Sequence, residues 1–317
     1  MKQREFSIDF MKFIAVLLVI NSHMAICYGQ FSQFATGGTI ANAFFFFVSG
    51  YTLCMSYNIQ SFRKWYIRRL NRIIPTIFAM GIIGALVLNK QQTLMTVISM
   101  KDYWFVQSIL IYYIIVFPML NNKKYLSKIL CLVLLLVILL YIFVFDFDKI
   151  DNLYAIDDWC RKVLYLSIMI AGIWMCENKR KFKSNILAYL CLGVSIVLYF
   201  VLARLRNSLW QMFSLFPLIL ICVFTYSIGS FKLFMKLFNN KVIGPIVYII
   251  SALCLDCYLI QFDIIAIDLK LIFPFNMLII YLLVIISAYV LHIISGLIIM
   301  IMGGKEINMY KLFLFKK

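Results

Sequence analysis

The sequence predicts an all-α, polytopic integral membrane bundle of about ten transmembrane helices, with both termini in the cytoplasm. Three observations carry that expectation. Apolar residues fill 64% of the 317 positions and the mean hydropathy is +0.97, against an apolar share of about 45–50% in soluble domains. Those residues gather into windows near the length that crosses a hydrocarbon core. The third observation is where the 30 Lys and Arg residues fall. With the N-terminus inside, 22 of the 30 are cytoplasmic, and only Lys90, Lys101, Lys149, Arg161, Lys162, Arg204, Arg206 and Lys270 lie outside. That bias is the one cytoplasmic loops show. In a soluble protein a net charge of +17 would suggest nucleic acid; here it reads as topology, and no nucleic-acid partner is expected. Neither a linker nor an inverted repeat of the transporter kind is visible. Residues 1–317 therefore read as a single membrane-embedded domain in the inner (cytoplasmic) membrane.

The first window, about 10–28, follows basic residues but no small-residue cleavage site follows it, so it reads as an uncleaved span. It carries Lys12 and His23, with Asp9 just before. Eleven residues make almost three turns, which puts both side chains on one face about 16 Å apart along the axis. With Phe10 at the inner boundary, His23 falls about 20 Å along, just past the midplane of the core. Ionisable groups inside a span are expensive and point to function. A neutral imidazole can take the proton of an alcohol as that alcohol attacks an acyl carbon. The bland alternative is a packing histidine helped by Asn21 and Ser22. Lys12 either snorkels to the inner headgroups or orients a carboxylate or phosphate.

The second window, 41–57, contains Phe44-Phe-Phe-Phe-Val-Ser-Gly-Tyr51, whose Ser49 and Gly50 suit close helix packing. The connection Ser61–Arg72 holds Arg63, Lys64, Arg68, Arg69 and Arg72 beside Trp65 and Tyr66. Guanidinium forks grip phosphates, and Trp65 or Tyr66 could stack on an adenine; plain anchoring of the inner face is the alternative. Windows at 73–89, 103–120 and 129–145 follow. The outside loop Asp146–Lys162 is acidic and aromatic, with Asp146, Asp148, Asp151, Tyr154, Asp157, Asp158 and Trp159. It suits a sugar, or is a solvated connection. The sixth window, 163–176, is short. Windows at 186–203 and 212–228 are uninterrupted, and the ninth, 243–264, is broken by Asp256 and Gln261. An uncompensated carboxylate there is costly, so Asp256 is protonated, pairs with Lys12, or lines a polar pocket. Cys254 and Cys257 have a CxxC spacing without a second pair or nearby histidine, so no metal site is expected. The nine cysteines read as small packing residues. The tenth window, 277–301, includes His292, which reads as structural.

In order along the chain these features resemble the acyltransferase 3 family of bacterial membrane proteins. The family's first span carries Arg or Lys, ten residues, then His, with an Asp just before; Asp9, Lys12 and His23 match. Phe46-Phe-Val-Ser-Gly-Tyr51, Arg69-Leu-Asn-Arg72-Ile-Ile-Pro75 and Trp104-Phe105 match three further motifs. Where the family often shows Tyr-Leu, one residue, then His, this chain has Tyr258-Leu-Ile-Gln261, which keeps a hydrogen-bonding group and loses a proton carrier. The resemblance implies acyl transfer, most often acetyl, from a coenzyme A thioester to a hydroxyl of a cell-surface or exported glycan. It implies His23 as general base, with Lys12 and Asp9 setting the electrostatics and Arg69, Arg72, Arg68 and Trp65 holding the donor. Ser49, Trp104, Asp256 and Gln261 would meet substrate. Acetyl-coenzyme A is then a donor substrate and no permanently bound cofactor is implied; an oligomer is compatible. The rival from another class is an exporter or flippase for a glycan or lipid-linked sugar. It also needs polar groups in spans and a basic inner face, but has no reason to cleave acetyl-coenzyme A.

Overall fold

The computed structural model describes residues 5–58, 60–88, 103–145, 153–154, 159–178, 186–206 and 208–303, and the regular elements among them are all helical. In chain order the α helices are α1 Phe6–His23, α2 Ala25–Tyr28, α3 Gly38–Ser56, α4 Phe62–Leu86, α5 Trp104–Asn121, α6 Leu126–Phe143, α7 Trp159–Asn178, α8 Ile186–Ala203, α9 Leu215–Gly229, α10 Lys232–Phe238, α11 Ile243–Ala252, α12 Cys254–Ile265 and α13 Phe275–Met302. Eight helices among the described residues are long and apolar enough to cross a membrane. The chain is an all-α polytopic bundle, the architecture that pairs every backbone group within its own segment where water is missing.

Two of the ten expected spans depart from this pattern. The sixth lies on α7, which is long enough at 20 residues but carries Arg161, Lys162 and Glu177, and it is not among the eight. The ninth is two helices, α11 and α12, separated at Leu253, while α10 and α11 meet at 88°. Most of the acidic loop 146–162 lies outside the described residues. Its Tyr154 is tied inward: the phenol bonds Ser214, and Arg161 Nη1 donates to the Tyr154 carbonyl at 3.0 Å. Burial pushes the Tyr154 phenol well above its usual range.

Chain contacts divide the structure into two compact units, each drawn from three stretches of sequence. One comprises residues 1–15, 39–59 and 111–245. There α3 crosses α7 at glycines. A Cβ on Gly50 would overlap the Met169 carbonyl, and one on Gly172 would overlap the Phe47 carbonyl. Backbone therefore meets backbone, the role small residues play between membrane helices. Beside this crossing the Tyr51 and Tyr226 hydroxyls lie 2.7 Å apart, and Tyr226 donates to Glu5 Oε1 at 3.0 Å.

The other unit comprises residues 16–38, 60–110 and 246–317. It contains the second half of α1, α2, α4, the start of α5, α12 and α13. Tyr281 on α13 donates to the Leu17 carbonyl at 3.0 Å, and Asn276 Nδ2 to the Cys27 carbonyl at 2.8 Å. Each bond pins α13 to the backbone around the end of α1.

Candidate active site

Helix α1 stops at His23, earlier than the apolar run suggests. The stop has a local cause. Asn21 Nδ2 donates to the Phe34 and Thr36 carbonyls at 2.8 and 2.9 Å, and its Oδ1 accepts from Tyr28 at 2.7 Å. These bonds fold the chain after His23 back against the helix end. Gly37, at φ +100° beside Leu18, lets the returning chain turn there in a conformation only glycine adopts freely. Ser22 donates to the Val19 carbonyl at 2.8 Å. Asn21 and Ser22 are thus occupied with backbone, and neither supports His23.

His23 itself is exposed. Its ring lies 4.5 Å from that of Phe262 on α12, tilted by 58°. Among the described residues no group hydrogen-bonds its imidazole. Starting from Phe6, seventeen steps place His23 about 26 Å along α1 at 1.5 Å per residue, so the imidazole marks the far end of the helix. Asp9 and Lys12 lie on the same uninterrupted helix, both half-buried. Ser49, half-buried on α3, borders the glycine crossing.

The cationic connection is not a loop. Residues 62–72 form the first turns of α4. Trp65 is 1% exposed, and the Arg69 guanidinium sits over its ring at 5.5 Å from the centroid. Tyr66 stacks on Phe62 at 5.3 Å and 18°. Trp65 is thus buried beneath Arg69, while Tyr66 is half-buried with one face on Phe62. What remains available is cationic, with Arg63, Lys64, Arg68 and Arg72 exposed and Arg69 half-buried.

Asp256 on α12 is 4% exposed, and its Oδ2 lies 3.6 Å from His292 Nδ1 on α13. The partner offered by the sequence was Lys12; the structure supplies the histidine that had been read as structural. Ionisable residues in a span gave a signal at both positions, but their pairing needs the register of α12 against α13. Gln261 is wholly buried. Trp104 is half-buried and meets Phe105 edge-on at 6.1 Å; Phe105 in turn packs against Tyr258 at 5.1 Å. The Trp-Phe motif therefore leads to α12, the helix that carries His23's contact. Phe262 is a site residue that the sequence reading missed, since one more Phe among 29 carries no signal.

Over residues 5–301 the chain matches the acyltransferase 3 family, described as an acyltransferase domain. The protein belongs to the acyltransferase 3 family. No curated protein and no solved structure matches it. As an acyltransferase 3 protein it is a multi-pass membrane acyltransferase, with an acyl donor and an acceptor as substrates. That chemistry needs a base for the attacking group, a grip on the donor, and stabilisation of the oxygen that gains charge. Within one unit the chain gathers an imidazole with no hydrogen bond among the described residues, four exposed cations, and two buried polar side chains on α12.

Proposed function

We propose that this acyltransferase 3 protein transfers an acyl group, acetyl in the first instance, from a coenzyme A thioester to a hydroxyl of a cell-surface or exported glycan, with His23 as general base. The observation that carries the reading is the imidazole of His23. It is exposed, is braced on one side by Phe262, and has no hydrogen bond among the described residues. A histidine kept for packing would be expected to bond its neighbours, and the nearest polar ones, Asn21 and Ser22, are bonded to backbone instead.

In the proposed step the acceptor hydroxyl gives its proton to His23 as its oxygen bonds the thioester carbonyl carbon. Collapse of the tetrahedral intermediate breaks the C–S bond, and the coenzyme A sulfur takes the proton back from His23. Ester and free thiol leave; His23 is regenerated. Arg68, Arg69 and Arg72 hold the donor's phosphates, with Trp65 supporting Arg69 from beneath rather than touching the base. Lys12 and Asp9 set the potential along the inner part of α1. The excess of Lys and Arg on one set of loops supports cytoplasmic termini in the inner membrane, which puts the cationic start of α4 on the side where acyl-coenzyme A is found. The family match disfavours the exporter reading, because an acyltransferase domain has bond chemistry to perform.

The test is mass spectrometry of surface glycans from cells lacking the protein, carrying it, or carrying the His23→Ala variant at equal membrane abundance. Acyl groups present only with the intact protein are the expected result. Acylation that persists with His23→Ala removes the base. Glycan lost from the surface altogether without the protein, yet restored by His23→Ala, would favour export.

A further inference from the structure

Gln261 is not explained by packing. It is 0% exposed, and among the described residues neither Oε1 nor Nε2 has a hydrogen-bond partner. A buried amide with both ends unmade is costly, and native proteins keep few such groups without a reason. Gln211 shows what the same fold does with a structural glutamine. Equally buried, it donates from Nε2 to the Ala203 carbonyl at 2.8 Å and accepts Leu153 N–H at 2.8 Å through Oε1. Gln261 has a donor held ready and, among the described residues, nothing to give it to.

Its place on α12 shows what the donor is for. The next residue, Phe262, carries the ring of His23 at 4.5 Å. One turn back, Tyr258 packs against Phe105 at 5.1 Å, so the helix surface around the amide is aromatic. We infer that Gln261 Nε2–H holds the acyl carbonyl oxygen as it becomes an oxyanion, while His23 acts on the attacking hydroxyl. The inference rests on the acyl transfer proposed above and adds a second catalytic group to it.

A hydroxyl bonded to His23, the carbonyl carbon it attacks, and an oxygen accepting from an amide together span roughly 8 Å from base nitrogen to donor nitrogen. Residues 261 and 262 have Cα atoms about 3.8 Å apart, so the amide belongs to the same turn of α12 as the ring that meets His23. As the new C–O bond forms, the carbonyl π pair moves onto its oxygen and is held by the amide. When the carbonyl re-forms, the C–S bond breaks and the thiolate leaves with His23's proton. Gln261 ends unchanged. A preorganised donor in an apolar surround is worth far more there than in water, and removing one lowers kcat about 10²–10³-fold.

The experiment uses the purified full chain in lipid nanodiscs, with acetyl-coenzyme A as donor, extracted surface glycan as acceptor, and thiol release as the readout. Gln261→Leu should lower kcat about 10²–10³-fold with little change in KM for acetyl-coenzyme A. Because it deletes an unsatisfied amide, the same change should raise the thermal unfolding midpoint. Gln261→His, which restores an N–H donor, should recover most of the rate. Loss of stability in Gln261→Leu with kcat retained would overturn the inference and leave the acyltransferase reading standing. No thiol release from the wild-type chain would overturn both.

Discussion

His23 and Phe262 form the contact on which the proposed chemistry turns, because the phenyl ring lies against one face of an imidazole whose nitrogens have no hydrogen bond among the described residues. Replacement of His23 by Ala should leave folding intact and reduce acyl transfer by about 10²–10⁴-fold, the usual contribution of a positioned general base. Phe262→Ala should act through the same imidazole and lower kcat with a smaller effect. The pair of buried Asp256 and half-buried His292 makes a different demand. A carboxylate in a span needs a partner, so His292→Ala should destabilise the protein. Since His292 is 34% exposed, the loss should lie toward the lower end of the about 3–5 kcal/mol seen when a buried pair is broken. The double change to Leu at both positions should recover most of the unfolding midpoint. Sequence could point to Asp256 and His292 separately but not to their pairing. Asp256 lies nine residues before the end of α12 and His292 seventeen residues into α13, an offset no simple hairpin register supplies.

Helices explain which parts of the site were legible. Hydropathy reports apolar runs, so the helices that cross the membrane were visible, yet it is blind to where one helix breaks and another begins. Met24 to Tyr28 are as apolar as the helix before them; α1 ends at His23 because a side chain, Asn21, captures two carbonyls from further along. The start of α4 failed in the opposite direction. A stretch of twelve residues with ten polar or aromatic ones resembles a loop, although Trp65, Arg69 and Ile73 recur at a spacing of four, a helical stripe that was available in the sequence. Since Arg68 and Arg72 are exposed on this helix, changing both to Ala should raise KM for acetyl-coenzyme A several-fold with kcat nearly unchanged, and the loss should shrink as salt screens the wild type. At the α3–α7 crossing Gly50 packs against backbone as its place in the second window predicts, and its counterpart Gly172 carried no such signal. Leu at Gly50 or Gly172 must push two backbones apart, and a loss of about 1–3 kcal/mol or more is expected from thermal unfolding in detergent.

For the molecule as a whole, composition and charge placement carried most of the reading. An all-α bundle follows from apolar windows, and the family match spans residues 5–301. The placement of the cationic surface follows from loop charges alone. Cysteine-accessibility labelling in intact cells should find substitutions at Arg63 or Lys64 protected from a membrane-impermeant reagent, and one at Lys270 labelled. The opposite pattern would put the donor's proposed grip on the wrong side of the bilayer. The central claim is nearer the chemistry. Wild-type and His23→Ala chains, purified and reconstituted in nanodiscs, would be given radiolabelled acetyl-coenzyme A and extracted surface glycan. Label moving to glycan with the wild type, and lost with His23→Ala while the variant melts normally and still binds the donor, is the predicted result. Equal transfer by both chains would contradict the account.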